Sequence, residues 1–298
     1  MAVFTGLLLV DKPAGITSHD VVDRIRRAAG MRRIGHTGTL DPAATGLLVL
    51  CMGKATRLSE HLTGLDKTYE GAMRLGLITD SHDLDGEVLE ESPIPSLDME
   101  AIQSVCNRFS GEIEQVPPMV SAVKVGGERL YRKARKGEEV DRPPRCITIH
   151  EFRVLAYAPP DVSLRVRCSS GTYVRTLCHD VGAILGCGAA LASLRRTAVG
   201  RYSVEQALPL DAFTGPEIVK ERLIAMDDAL DLPAVYVRNS SQALIAEGSS
   251  LGISDLREPC PVQEGWVQLK NAKGKLLALG VAQATLVGPR IHPKRVFI

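Results

Sequence analysis

The chain has 298 residues, 45% of them hydrophobic and 24% charged, with a formal net charge of +1. That length supports a sizeable core and suits one large domain with a small one beside it. No apolar run approaches the ~20 residues of a membrane-spanning helix, and a near-neutral balance places any nucleic-acid contact in local clusters rather than in a global field.

Residues 6–11 read as an apolar strand closed by the turn Lys12-Pro13-Ala14-Gly15. The apolar run before that turn is too short for a secretory signal and carries no cleavage-like site, so a cytoplasmic protein is expected. Ser18 is placed as the N-cap of a helix in which Val21, Val22, Ile25 and Ala28 recur at helical spacing, stopped by Gly30. Arg24, Arg26, Arg27, Arg32 and Arg33 then give a positive face, either solvated or turned to RNA phosphates.

The stretch Ile34-Gly35-His36-Thr37-Gly38-Thr39-Leu40-Asp41-Pro42-Ala43-Ala44-Thr45-Gly46 organises the rest. Glycines on either side of His36 permit tight turns and close approach to a ligand. Pro42 fixes its own φ and pushes Asp41 towards an extended conformation. Residues 47–52 read as a buried strand behind the loop. Residue chemistry alone leaves two readings open: an active-site loop presenting a carboxylate and an imidazole, or a turn in which Asp41 caps backbone groups.

Gly53-Lys54-Ala55-Thr56 hints at a phosphate loop, but Leu48 and Ala55 stand where that motif needs Gly and Ser or Thr. Lys67-Thr68-Tyr69-Glu70-Gly71 opens an alternating strand, and a tyrosine there is by itself a core residue. The acidic turn around Ser81 to Gly86 lacks the closing Glu of a calcium loop, since position 92 is Ser. Residues 99–109 form an amphipathic helix. After Pro117-Pro118, residues 124–145 gather Lys124, Arg129, Arg132, Lys133, Arg135, Lys136, Arg142 and Arg145 around Tyr131. That composition fits an exposed loop or a contact for RNA backbone and unstacked bases.

Two strands follow at residues 147–157 and 162–168, then a turn leading into a helix that ends near Gly186. Helical stretches are expected around 208–213 and 218–230. Pro233 marks a boundary, beyond which a short helix (240–247), strands at 262–269 and 275–284, and a basic terminal strand are expected. The seven cysteines, at positions 51, 106, 146, 168, 178, 187 and 260, include no C-x-x-C pair, which fits reduced thiols rather than disulfides or a zinc site.

Gly35-His36-Thr37-Gly38-Thr39-Leu40-Asp41-Pro42, followed by Ala44-Thr45-Gly46-Leu47-Leu48, resembles the catalytic loop of the TruB family, the bacterial tRNA pseudouridine synthases. Further blocks are similar and in family order: Asp11-Lys12-Pro13-Ala14-Gly15, Lys67-Thr68-Tyr69-Glu70-Gly71, Gly171-Thr172-Tyr173-Val174-Arg175-Thr176-Leu177, and Leu194 to Gly200. The resemblance implies an α/β (α+β) fold with a mixed, antiparallel-rich central sheet flanked by helices. It also implies a catalytic domain over 1–232, with an RNA-contacting insertion at about 117–145, and a small β-rich, PUA-like RNA-binding domain over 235–298.

The implied activity is isomerisation of the T-loop uridine at position 55 of tRNA to pseudouridine, with base flipping and without cofactor or metal. Asp41 would be the nucleophile, with ribose C1′ or uracil C6 as its target. Arg175 would hold that carboxylate bidentately and ionised, and Tyr69 would stack on the base and handle a proton. His36 would contact the extruded nucleotide or fill its place. Tyr173 and Leu194 would form pocket walls, with Lys12 and Gly35 beside the substrate, and Arg129, Arg132, Lys133 and Arg135 would grip the tRNA arm. The partner is then the tRNA T arm, with no membrane and no obligatory protein partner, for a monomer. The alternative is a non-catalytic tRNA-binding or RNA-folding module on the same scaffold. A glycosidase-like hydrolase would want a second catalytic carboxylate, and Asp11, Glu70 and Asp180 read as structural.

Overall fold

A computed structural model describes residues 4–118, 124–125, 128–129, 142–257, 264–285 and 288–298. Arg132, Lys133 and Arg135, expected to contact RNA, lie outside the described residues. Of Arg129 only the backbone is described, in a two-residue strand paired with Lys124–Val125.

Among the described residues one eleven-stranded sheet dominates. Its principal strands are β1 (Gly6–Lys12), β2 (Ile34–His36), β3 (Thr45–Met52), β4 (Lys67–Leu75), β5 (Gly111–Gln115), β6 (Arg145–Ala158), β7 (Asp161–Cys168) and β8 (Ala189–Val199). They lie in the order β1-β3-β8-β4-β7-β6-β5, with β2 paired to β3. Neighbours along this path are antiparallel except β3 and β8, which run parallel. The mixed, antiparallel-rich sheet is thus present.

Strand β3 shows why a continuous apolar run sits centrally. Leu47, Val49 and Cys51 enter one core cluster, while Leu48, Leu50 and Met52 enter another on the opposite face. A strand covered on both faces needs no polar alternation. A third cluster joins β4, β6 and β7 to helices α3 (Met99–Asn107) and α4 (Val174–Leu185), through Met73, Phe152, Leu164, Ile102, Leu177 and Val181. Helix α1 (Ser18–Ala29) buries Val21, Val22 and Ile25. Helix α2 (Ser59–Thr63) connects β3 to β4.

Two local expectations are corrected. The N-cap of α1 is Thr17, whose hydroxyl accepts from the Asp20 N–H in a reciprocal capping box. Ser18, freed from that task, accepts from the Leu40 N–H at 2.9 Å and donates to the Leu40 carbonyl at 3.1 Å. The helix start is thereby tied to the loop carrying Asp41. In the stretches 208–213 and 218–230, only α5 (Pro216–Glu221) is α-helical. Leu208–Pro209 and Ile224–Ala225 instead line β1 as short strands. Leu210, Phe213 and Val219 are buried in the cluster on one face of β1, so their spacing reflects burial beneath an edge. Pro209 stands against a helix through 208–213, while Pro216 opens the short α5 at its first position.

Past Pro233, β9 (Ala234–Tyr236), β10 (Gly265–Lys270), β11 (Leu276–Gln283) and β12 (Arg290–Val296) form a four-stranded sheet, with α6 (Gln242–Ala246) packed through Ile245. This is the small C-terminal β-rich unit of the fold. It is seated firmly on the larger one. Leu276, Leu279 and Phe297 share a core with Leu58 and Leu62. Lys54 donates to the Phe297 carbonyl at 2.8 Å, and Gln268 donates to that of Leu232 at 2.8 Å.

Candidate active site

Asp41 lies in the loop joining β2 to β3, and the sequence around it is braced from below. Lys12, at the end of β1, has no exposed surface. Its ammonium donates to the carbonyls of Ala44 (2.7 Å), Pro13 (2.9 Å) and Pro42 (3.0 Å). Burial pushes its pKa down to about 8, against the pull of Asp41. Lys12 was expected beside the substrate; in this structure it is a clamp under the loop.

A second cation braces the loop from the side. Arg196, on β8, is 2% exposed and donates through Nε to the Leu47 carbonyl at 2.8 Å and through Nη2 to that of Gly38 at 3.0 Å. Sequence reasoning passed over it. The signal was an arginine at a position where strand alternation points inward. The same crossing explains Gly46, whose φ is +100° and whose missing Cβ would sit 2.3 Å from the Arg196 carbonyl oxygen. Gly35 has no such constraint: a Cβ there would meet open space. Its expected close approach is therefore not one the protein itself makes.

The loop presents Asp41 to Arg175 on the first turn of α4. Arg175 is 4% exposed, and its Nη2 lies 3.3 Å from Asp41 Oδ2. Its Nη1 lies 3.2 Å from Asp83 Oδ2. The fork is thus shared between two carboxylates, and the expected bidentate hold on Asp41 is corrected to a bridge. Asp83 was missed because its turn read as merely polar. Burial pushes the Asp41 carboxyl above the usual carboxylate range, and Arg175 pulls against it. Asp41 still keeps about half of its side chain, 49%, open to the cleft.

That cleft is a cavity of about 240 Å³, lined by Asp41, Tyr69, Tyr173, Arg175, Leu191 and Leu194 among others. Strand β4 brings Tyr69 in, directly across from Arg196 of β8. The ring is buried at 8% exposure; burial raises its phenol pKa and the Arg196 charge opposes that rise. Tyr173 precedes α4, and its peptide is held on both sides by the buried Gln115: Oε1 accepts from its N–H at 2.8 Å, and Nε2 donates to its carbonyl at 3.1 Å. Gln115 was another residue the sequence did not reveal. The Arg175 guanidinium lies 5.9 Å from the Tyr173 ring centroid.

His36 sits on β2, where its Nδ1 accepts from the Gly38 N–H at 3.4 Å, and it is not part of the cavity wall. The structure therefore gathers Asp41, Tyr69, Arg175, Tyr173 and Leu194 around one cavity, sets Lys12 beneath it, and leaves His36 and Gly35 outside its lining. Among the described residues no group of His, Cys, Asp and Glu could hold a metal ion. Among the described residues no helix is long and apolar enough to cross a membrane. Chemically, the cavity offers one partly open carboxylate, one cation to stabilise it, and aromatic and apolar walls for a flat ring.

Comparison with known proteins places this arrangement. Residues 26–174 match the family described as TruB family pseudouridylate synthase (N terminal domain), and residues 175–231 match the tRNA pseudouridylate synthase B C-terminal domain. The tRNA pseudouridine synthase B of Opitutus terrae is 53% identical, over 75% of this chain and 94% of that protein. The protein of the same description from Azoarcus sp. is 43% identical, over 97% of this chain and 94% of its own. Among solved structures, a chain of an H/ACA RNP bound to a substrate RNA containing 2′-deoxyuridine superposes with a TM-score of 0.75 at 27% identity, covering 99% of this chain and 85% of that one. A Cbf5-Nop10-Gar1 complex contributes a chain with a TM-score of 0.75 at 28% identity and the same coverage.

Proposed function

The chain belongs to the TruB family of pseudouridylate synthases, and on that premise we propose that it isomerises the uridine at position 55 of the tRNA T loop to pseudouridine, with Asp41 as nucleophile. The observation that carries this reading is the Asp41–Arg175 pair at a cavity walled by Tyr69, Tyr173 and Leu194.

The target base must leave its stack to enter so enclosed a site, at a cost of a few kcal/mol. Asp41 then attacks and bonds to the extruded nucleotide, the N1–C1′ bond breaks, the uracil turns, C5 bonds to C1′, and the bond to Asp41 breaks to return its free carboxylate. The proton leaves C5 and N1 ends protonated, so the reaction is redox-neutral and balances without a cofactor. Arg175 matters more once RNA fills the cleft. Excluding water would push the Asp41 carboxyl up further, and the guanidinium opposes that protonation. Tyr69, kept protonated by burial, supplies a face for stacking and a phenol for proton transfer. Leu194 and Tyr173 confine the ring.

The same reading assigns residues 1–232 to catalysis and 235–298 to a PUA-like RNA-binding unit. It has residues 117–145, including Arg129, Arg132, Lys133 and Arg135, gripping the T arm. The chain would act as a cytoplasmic monomer without an obligatory protein partner. One comparison supports the stand-alone reading over a guide-RNA particle. Identity is 43% to a tRNA pseudouridine synthase B across nearly the whole chain, against 27–28% to the chains from H/ACA and Cbf5 complexes. The test is to incubate a tRNA transcript with the enzyme and map pseudouridine by carbodiimide adduct and primer extension. A single stop at the T-loop uridine is expected. Tight tRNA binding without any modification would favour a non-catalytic RNA-binding module instead.

A further inference from the structure

The turn carrying Asp83 meets α4 at two adjacent points. Asp83 accepts from Arg175 at 3.2 Å. One residue earlier in the turn and one helical turn later in α4, the His82 ring lies flat on that of His179, with centroids 4.0 Å apart and planes 4° from parallel. Arg175 and His179 are four residues apart, so they share one face of the helix. Ion pair and ring stack therefore sit side by side along the same seam.

Several features show that this seam is built rather than incidental. His82 has a φ of +64°, which among the described residues no other non-glycine residue matches in sign. A side chain in that region needs compensating contacts. The turn finds them on β8, where the Leu191 N–H donates to the His82 carbonyl at 2.9 Å and the Leu84 N–H donates to that of Leu191 at 3.0 Å. The Nδ1 atoms of both rings are buried and have no hydrogen-bond partner among the described residues. Stacking, not hydrogen bonding at those nitrogens, is what joins the two rings. Burial, the neighbouring His179 and the Arg175 and Arg142 charges push the His82 pKa down to about 4, while Asp83 pulls it up. A neutral ring next to Arg175 leaves the guanidinium's charge directed at its two carboxylates.

We propose that His82 and His179 are positioning residues for the isomerisation: their stack fixes the Asp83 turn against α4 and thereby sets how Arg175 is divided between Asp83 and Asp41. The proposal rests on the tRNA pseudouridine synthase reading above. Neither imidazole lines the cavity, so the effect must pass through Arg175.

The experiment compares full-length wild type with His179→Ala, His179→Phe and His82→Asn, measuring kcat and KM on a tRNA transcript and the melting temperature of each. Phe restores a flat ring on a helical position and dispenses with the nitrogens. Asn tolerates the left-handed backbone of position 82 while removing the ring. The expected result is a fall in kcat of about tenfold for His179→Ala with KM little changed, restoration of most of it in His179→Phe, and a fall in His82→Asn like that in His179→Ala. Combining His82→Asn with His179→Ala should cost no more than either alone, since both remove one contact. Folded His179→Ala with wild-type kcat overturns the proposal, even if its melting temperature drops. So does equal loss in the Ala and Phe variants. An inactive wild type would instead fail the functional reading on which the proposal rests.

Discussion

Replacing Arg196 with Met removes a charged brace while keeping most of the buried stem. The side chain is 2% exposed, and its two shorter bonds, to the carbonyls of Leu47 (2.8 Å) and Gly38 (3.0 Å), span the two ends of the loop carrying Asp41. Hydrogen bonds from a charged donor contribute about 1.5–3 kcal/mol each, and the buried Leu47 carbonyl would lose this partner. Relief of the cost of burying the guanidinium offsets part of that sum. A net loss of about 3–5 kcal/mol follows, which for a protein of this size lowers the melting temperature by about 5–8 °C. Arg196→Lys should recover little, because a single ammonium cannot match a planar fork aimed at separate carbonyls. Circular dichroism melts give the stability, and turnover measured well below the melting point gives the effect of a displaced Asp41 loop. An Arg196→Met protein melting within about 2 °C of wild type and turning over normally would refute this account of the loop.

Gly46→Ala should destabilise by more than about 2 kcal/mol in urea titrations, since the new Cβ would lie 2.3 Å from the Arg196 carbonyl oxygen at a φ of +100°; a neutral change would mean that β3 and β8 can part without cost. For Asp41, burial raises the folded pKa above its ordinary value, so the native state holds the proton more tightly. Activity should therefore rise with pH through that raised value while the stability contribution of this group falls. Arg175→Met removes the charge opposing protonation, so the acid limb of the kcat/KM profile should move to higher pH; a limb that stays in place would separate Arg175 from the ionisation of Asp41. Lys12, depressed to about 8, binds its proton less tightly folded than unfolded. Wild-type stability should gain a positive slope with pH from about 8 towards the ordinary lysine value, and Lys12→Met should lose that slope in melts across the range.

The blocks containing Asp41, Tyr69 and Arg175 were legible because each pairs a reactive side chain with glycines or prolines at fixed spacing, and the structure brings these residues to one cavity. What the sequence concealed was mostly reach. Asp83 comes to Arg175 from a hairpin turn far along the chain, and no local pattern marks an acidic turn as the partner of a distant helix. Lys12 was expected beside the substrate and Arg196 was passed over, because neither position shows from sequence that its strand buries it. Burial turns them into clamps on backbone carbonyls. Ser18 and Thr17 differ by one position, and the reciprocal bond with Asp20 decided which would cap. The stretch 218–230 read as helix because apolar spacing beneath a sheet edge imitates a helical period.

The claim on which everything else depends is that Asp41 performs the chemistry. Tritium release from a tRNA transcript carrying uridine labelled at C5 reports the loss of that hydrogen directly, and wild type should be run beside Asp41→Asn. The account requires release by wild type, none by the variant, and tRNA binding by both within a few-fold of each other. Release by Asp41→Asn at a rate near that of wild type would contradict it.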